Sequence, residues 1–204
     1  MNSTSVSPAA ALAPVWRDVV AESYRALADA VAGIGAAQWD LPTPCSQWTV
    51  TQVVQHAAGD QLAFAAALGL GTGPAYDPFA PSGSLDGTGT QLVSAAIEQT
   101  AAAWATVTDD AETVPTPLPH GVLPTPVAAV MAALDAAVHA WDIAVATGRP
   151  SPLTDTLATH LLTAATDLIE PLRQWGAYAA VLDAEPGDTA VDTLLRYLGR
   201  DPRV

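Results

Sequence analysis

Hydrophobic residues recur along this chain with the spacing of α-helices, and prolines separate the segments that carry the pattern. At about 100° per residue, apolar side chains fall on one side of each of four long windows. Prolines and glycines at the window ends are expected to stop the helices. The four windows cover residues 15–32, 50–68, 90–107 and 125–148, and two shorter ones cover residues 153–169 and 190–198. Residues 70–89 and 108–124 show no period and are predicted to be long loops.

The fourth window, TPVAAVMAALDAAVHAWDIAVATG, is the centre of the prediction. Thr125 is expected to cap its first turn, and Pro126 suits the first helical position, where no amide donor is needed. Beside its apolar stripe runs a second stripe of Asp135, His139 and Asp142, at the margin of the buried face. From this position the polar side chains can point either into the interior of a helical bundle or outward along its surface.

Two candidate metal ligands lie four residues apart on this helix. Asp135 and His139 project side by side from successive turns, so a carboxylate oxygen and an imidazole nitrogen can chelate one divalent ion. Taken alone, the pair is more often an exposed ion pair on a helix surface. A third candidate, His56, lies on the mostly apolar face of the second window, whose start is marked by the capping-box pair Thr49 and Gln52. A lone histidine in that position is more often a core residue than a ligand.

Composition points to a helical protein of one domain. The chain has 204 residues, half of them hydrophobic, with many alanines and few β-branched runs, which favours close-packed helices. We predict an all-α domain over residues 14–204, preceded by a disordered tail over residues 1–13.

Charge and cysteine content limit the partners. The formal net charge is −14, so nucleic acids and anionic membranes are poor partners. No signal peptide is recognisable, and no uninterrupted apolar run reaches the ~18 residues that span a bilayer. The single cysteine, Cys45, excludes an intramolecular disulfide, and we interpret it as a structural thiol rather than a nucleophile. The protein is therefore expected to be cytoplasmic.

Three segments resemble a known family. PTPCSQWTVTQVVQHAAGD, residues 42–60, resembles the region around the first ligand histidine in the DinB-like superfamily, closest to its mycothiol-dependent maleylpyruvate isomerase branch. LDAAVHAWDIAVATGR, residues 134–149, resembles the second ligand region of that branch, and LLRYLGRDP, residues 194–202, resembles the end of short actinobacterial members. The three motifs occur in the family's order and cover most of the chain.

The resemblance implies a DinB-like four-helix bundle with extra C-terminal helices and a metal between its second and fourth helices. His56, Asp135 and His139 stand where the family has its ligands, although the isomerase branch has Glu at the carboxylate position. The isomerases also carry an additional C-terminal domain that is not found in this sequence, so their reaction is not carried over.

Two imidazoles and one carboxylate leave coordination positions open, as in catalytic zinc sites. The same donors suit iron, and nickel is a further alternative to zinc. Asp142 is a candidate to orient an imidazole or Arg200, and the pocket candidates are Trp48, Trp104 and Trp141.

Two functions remain open at this stage. One is an enzyme that uses mycothiol or a similar thiol, with the thiolate activated on the metal, for transfer or isomerisation on a small electrophile. The other is a non-catalytic metal-binding bundle with a structural or partner-binding role. A homodimer is left open.

Overall fold

The computed structural model describes residues 6–204, and the helices in that range follow the predicted windows closely. Eight helices are present among the described residues. Their bounds are α1 (Pro8–Leu12), α2 (Trp16–Ala32), α3 (Val50–Ala67), α4 (Gly89–Thr106), α5 (Thr125–Ala146), α6 (Asp155–Ala165), α7 (Ile169–Gln174) and α8 (Ala190–Tyr197). The prediction of an all-α fold is confirmed, with one small exception. Two three-residue strands, β1 (Thr113–Pro115) and β2 (Val122–Pro124), form an antiparallel hairpin inside the second predicted loop.

Four long helices form the bundle that carries the candidate site. Helix α2 packs against α4 and α5, and α3 packs against α4 and α5 on the other side. Helix α6 covers α5, and α8 packs on α6. Buried side chains from these helices form one hydrophobic core.

Helix α5 lies at the centre of the bundle and is buried on nearly every side. By length and composition it is apolar enough to cross a membrane, but its most apolar window is 100% buried within the protein. A helix that is hydrophobic all round is expected in the core of a folded protein. The second stripe of α5, predicted at the margin of the buried face, is consequently inside the bundle: Asp135 is 9% exposed, His139 6% and Asp142 0%.

The predicted helix starts are correct in one case and wrong in another. The capping box of α3 is present, because the Thr49 side chain accepts from the Gln52 amide and the Gln52 side chain accepts from Thr49. The prediction that Thr125 caps α5 is wrong: Thr125 is already helical, Pro124 holds the cap position, and no side chain caps the end. The Thr125 hydroxyl instead donates to the Ala111 carbonyl in the preceding loop.

The N-terminal stretch differs in part from the predicted disordered tail. Residues 1–5 lie outside the described residues, but Pro8–Leu12 forms helix α1, capped by the side chain of Ser7. Leu12 is fully buried, and α1 packs against α5 and α6. The predicted window over residues 153–169 is likewise interrupted, because α6 ends at Ala165 and α7 starts at Ile169 after Asp167 with a positive φ of 71°.

Candidate metal site

The structure brings the three predicted ligands together from two neighbouring helices. His56 extends from α3, and Asp135 and His139 extend from successive turns of α5. Asp135 Oδ1 lies 3.4 Å from His56 Nε2 and 3.4 Å from His139 Nε2. The three potential ligand atoms lie within 4.8 Å of one another, and all three residues are buried. This is a candidate metal site in the interior of the bundle.

His56 is oriented by the loop that follows α3. Its Nδ1 lies 2.9 Å from the Pro78 carbonyl oxygen, which can only accept a hydrogen bond, so Nδ1 carries the proton. The Tyr76 hydroxyl donates to the Gln55 carbonyl at 2.7 Å and holds the same loop against the helix. In the neutral ring, Nε2 is therefore the free lone-pair nitrogen, and it faces Asp135.

His139 is oriented by a carboxylate and an arginine. Its Nδ1 lies 2.9 Å from Asp142 Oδ2, one turn further along α5. Arg200, which follows α8, donates to both oxygens of Asp142, from Nε at 2.9 Å and from Nη2 at 2.8 Å. Because a carboxylate can only accept, this imidazole also carries its proton on Nδ1 and directs Nε2 toward Asp135.

The second oxygen of Asp135 faces Gln61, a residue that the sequence reading did not single out. Gln61 is fully buried on α3, and its amide donates to the Ala132 carbonyl at 3.0 Å and lies 3.5 Å from Asp135 Oδ2. Gln61 thus ties α3 to α5 beside the site and leaves Oδ1 facing the two imidazoles.

The electrostatics of the site favour a positive charge. Burial lowers the pKa of His139, but Asp135 and Asp142 outweigh this effect and raise its pKa to about 9. The pKa of His56 is raised as well, since the carboxylates of Asp60 and Asp135 overcome burial. Burial raises the pKa of Asp135, but the two imidazoles bring it well below its usual range. Protons bound at these nitrogens compete with a divalent cation for the same lone pairs.

Asp60, like Gln61, lies at the site but was not predicted as a site residue from the sequence. It lies four residues after His56 on α3, and its Oδ2 is 3.9 Å from His56 Nε2. Burial and the nearby charge of Asp135 raise the pKa of Asp60. The signal was present in the sequence, since this pair has the same i,i+4 spacing as Asp135 and His139.

Aromatic side chains cover the imidazole of His56. The ring of Trp48 lies 4.6 Å from that of His56, and the ring of Phe79 lies 5.4 Å from it in an edge-on arrangement. Phe79 is 63% exposed, so it forms the outer edge of the site.

The other two predicted pocket residues are buried in the core. Trp104 packs between Trp16 and Phe64, at ring distances of 5.9 and 6.5 Å, and Trp141 is buried on α5. Among the described residues, neither ring stacks on His56 or His139.

Two further residues lie within the electric field of the site. Burial, followed by the charge of Asp135, raises the pKa of Tyr178 far above its usual value, so its hydroxyl stays protonated. Burial also raises the pKa of Cys45 to about 11, with a contribution from Asp142. Tyr178 lies in the loop between α7 and α8, and no pattern in the sequence marks it.

The donor geometry fits a small divalent ion. Ligand atoms bound tetrahedrally to zinc, at about 2.0–2.2 Å from the ion, lie about 3.4 Å from one another. The separations of His56 Nε2 and His139 Nε2 from Asp135 Oδ1, both 3.4 Å, have this length. Both imidazoles also have an oxygen acceptor on the nitrogen that faces away from the site, as metal-bound histidines almost always do.

The sequence model of the family described as "Mycothiol maleylpyruvate isomerase N-terminal domain" matches residues 20–144. The chain belongs to this family. The matched segment includes α3, α4 and most of α5, and hence all three members of the candidate metal site.

Two curated relatives of this family member come from Mycobacterium tuberculosis, one from strain CDC 1551 / Oshkosh and one from strain H37Rv. Both are described as uncharacterized proteins. Each is 31% identical over 183 residues, which cover 87% of this chain and 93% of the relative. No solved structure matches the chain significantly.

Proposed function

We propose that His56, Asp135 and His139 bind one divalent metal ion, and that the protein uses a low-molecular-weight thiol such as mycothiol to transform a small electrophile. The reaction would be a transfer of the thiol or a thiol-assisted isomerisation. The observation that carries the proposal is the convergence of the two Nε2 atoms on one carboxylate oxygen, with both Nδ1 atoms held by acceptors. Membership of a family named after mycothiol supports a thiol as the co-substrate. A thiol substrate and an unpaired cysteine are both compatible with the reducing environment of the cytoplasm.

Zinc is the favoured metal, because two neutral imidazoles and one carboxylate are a common ligand set of catalytic zinc, with iron and nickel as alternatives. A bound divalent cation would favour the deprotonated form of a thiol at neutral pH. The chain's own residues hold the imidazoles in place through Pro78 and Asp142, and Trp48 and Phe79 shield one side of His56. Three protein donors leave room for a further ligand.

A second candidate is a non-catalytic metalloprotein in which the ion joins α3 to α5. Asp60 favours this alternative, because its carboxylate lies 3.9 Å from His56 Nε2 and could supply a fourth ligand. A fourth protein ligand is typical of structural zinc sites, whereas three ligands and an open position are typical of catalytic ones.

Metal content tests the ligand set. Purified protein should contain close to one equivalent of metal by elemental analysis, and His56→Ala and His139→Ala should each lose it. His160→Ala, a histidine on α6 outside the site, is the matched control and should retain the metal. Full metal content in both ligand variants would contradict the proposal.

A thiol titration separates the two candidates. Mycothiol or a simpler thiol added to the cobalt-substituted protein should produce a sulfur-to-metal charge-transfer band. The Asp60→Asn variant should show the same band if Asp60 is not a ligand. A band that appears only in Asp60→Asn, or in neither protein, favours the non-catalytic alternative.

A further inference from the structure

The C-terminal end of helix α8 makes a turn that only glycine accommodates. The Gly199 amide donates to the Arg196 carbonyl, and the Arg200 amide reaches back to the Leu195 carbonyl at 2.8 Å. Gly199 has a positive φ of 78°, the left-handed conformation that side chains other than glycine rarely adopt. The turn ends the helix and sends Arg200 toward α5.

The space around Gly199 gives a second reason for glycine. A Cβ at this position would lie 2.7 Å from the Cβ of Ala179 and 2.8 Å from its carbonyl carbon and oxygen. The segment between α7 and α8 therefore lies directly on the turn, so conformation and packing both fix where Arg200 emerges.

Arg200 is almost entirely committed to Asp142. Its side chain is 10% exposed, the Asp142 side chain is 0% exposed, and two parallel hydrogen bonds of 2.9 and 2.8 Å join them. A planar guanidinium bound to both oxygens fixes the plane of the carboxylate, which a lysine bound through a single nitrogen cannot do. Asp142 Oδ2 is also the atom that accepts from His139 Nδ1.

We infer that Arg200 is a positioning residue of the metal site, which holds Asp142 and through it the ring of His139, so that the turn at Gly199 helps set the affinity for metal. The inference rests on the proposed role of His139 as a ligand. Residues 194–202, the last motif of the sequence, contribute no ligand of their own. Through Arg200 they help to position a ligand at a site built from α3 and α5.

Zinc affinity measured by competition with a chelator tests the inference in the full chain. Loss of such a supporting partner typically weakens metal binding by about 10- to 100-fold, and we expect this from Arg200→Gln. Arg200→Lys keeps the charge but loses the parallel pair of hydrogen bonds. Its zinc affinity should therefore lie between that of the wild type and that of Arg200→Gln. Arg203→Gln is the matched control, because Arg203 pairs with Glu185 and Asp188 and should leave zinc affinity unchanged.

A double-variant cycle distinguishes positioning from general damage to the fold. If Arg200 acts through Asp142, adding Arg200→Gln to Asp142→Ala should weaken zinc binding no further, whereas independent effects would add. Nitrogen NMR of His139 in the metal-free protein, at a pH above 9 where the ring is neutral, should show the proton on Nδ1 in the wild type and a mixture of the two tautomers in Arg200→Lys. Additive losses, or wild-type affinity in Arg200→Gln, would overturn the inference. Should His139→Ala retain zinc, the proposed function itself fails, which is a separate outcome.

Discussion

Gly59 on α3 and Pro78 in the following loop are so close that a Cβ at position 59 would lie 2.7 Å from the Cβ of Pro78. Real side chains essentially never approach to this distance. The glycine lets the loop rest directly on the helix, and the Pro78 carbonyl then reaches His56 Nδ1. The partner of this glycine is therefore a loop that orients a candidate ligand, and not a neighbouring helix.

Gly59→Ala should therefore weaken the metal site. On an exposed helix this change would stabilise by about 1 kcal/mol, but here the loop must move away, and His56 loses its acceptor. We expect weaker zinc binding in a chelator competition and a lower free energy of unfolding. Combining it with Pro78→Gly removes the atom that collides and should restore part of the zinc affinity. A more stable variant with unchanged affinity would show that the loop adjusts freely.

The sequence predicted the parts of the site that depend on helix periodicity. The pair Asp135 and His139 follows from i,i+4 spacing, and the capping box at Thr49 fixed the register of α3 and hence the face of His56. Pro78 and Tyr178 could not be predicted in this way, because their places depend on loops shaped by contacts distant in sequence. The failed cap at Thr125 has a similar cause, since the hairpin before α5 supplies a competing acceptor at Ala111.

The raised pKa of Cys45 predicts a slow reaction with alkylating reagents. Burial raises its pKa from 9.0 to about 11, so the thiolate, which is the reactive form, should be about 100-fold less populated at pH 8 than in the unfolded chain. Iodoacetamide should label the native protein slowly, at a rate that keeps rising up to pH 11, and label the urea-unfolded protein quickly.

The same shift has a defined effect on stability. The folded state favours the neutral thiol, so this contribution to the free energy of unfolding is complete below pH 9 and is lost as the pH rises toward 11. Cys45→Ala should keep zinc and thiol binding, since the thiol is interpreted as structural. Rapid labelling at neutral pH, or loss of thiol binding in Cys45→Ala, would contradict this interpretation.

Because helix α1 packs on the bundle, we expect part of the N-terminal stretch to contribute to stability. Leu12 is fully buried, so Leu12→Ala should lower the free energy of unfolding by about 2–5 kcal/mol in a urea titration. Val6→Ala, at a position 71% exposed, is the control and should have no measurable effect. Equal stability of the two variants would show that α1 contributes nothing to the stability of the fold.

The organisation of residues 14–204 as one domain stays a prediction, and limited proteolysis can check it. One hydrophobic core extends over the helices from α1 to α8, so cleavage in the long loop between α3 and α4 should not release two stable halves. Two protease-resistant fragments that remain folded after separation would reject a single domain.

Phe79 offers a test of how the site is covered, because it is largely exposed and yet packs on a candidate ligand. Its ring lies 5.4 Å from that of His56, and 63% of the residue remains accessible to solvent. Phe79→Ala should leave the metal content unchanged, since the phenyl ring supplies no ligand. It should weaken thiol binding to the cobalt-substituted protein by about 2- to 10-fold, the amount expected from one aromatic contact.

Trp175→Ala, at a position 75% exposed just after α7, is the matched control for the loss of a surface aromatic residue and should bind thiol like the wild type. Loss of metal in Phe79→Ala would instead assign the ring to the support of His56, and equal thiol affinity in all three proteins would falsify its role at the edge of the binding site.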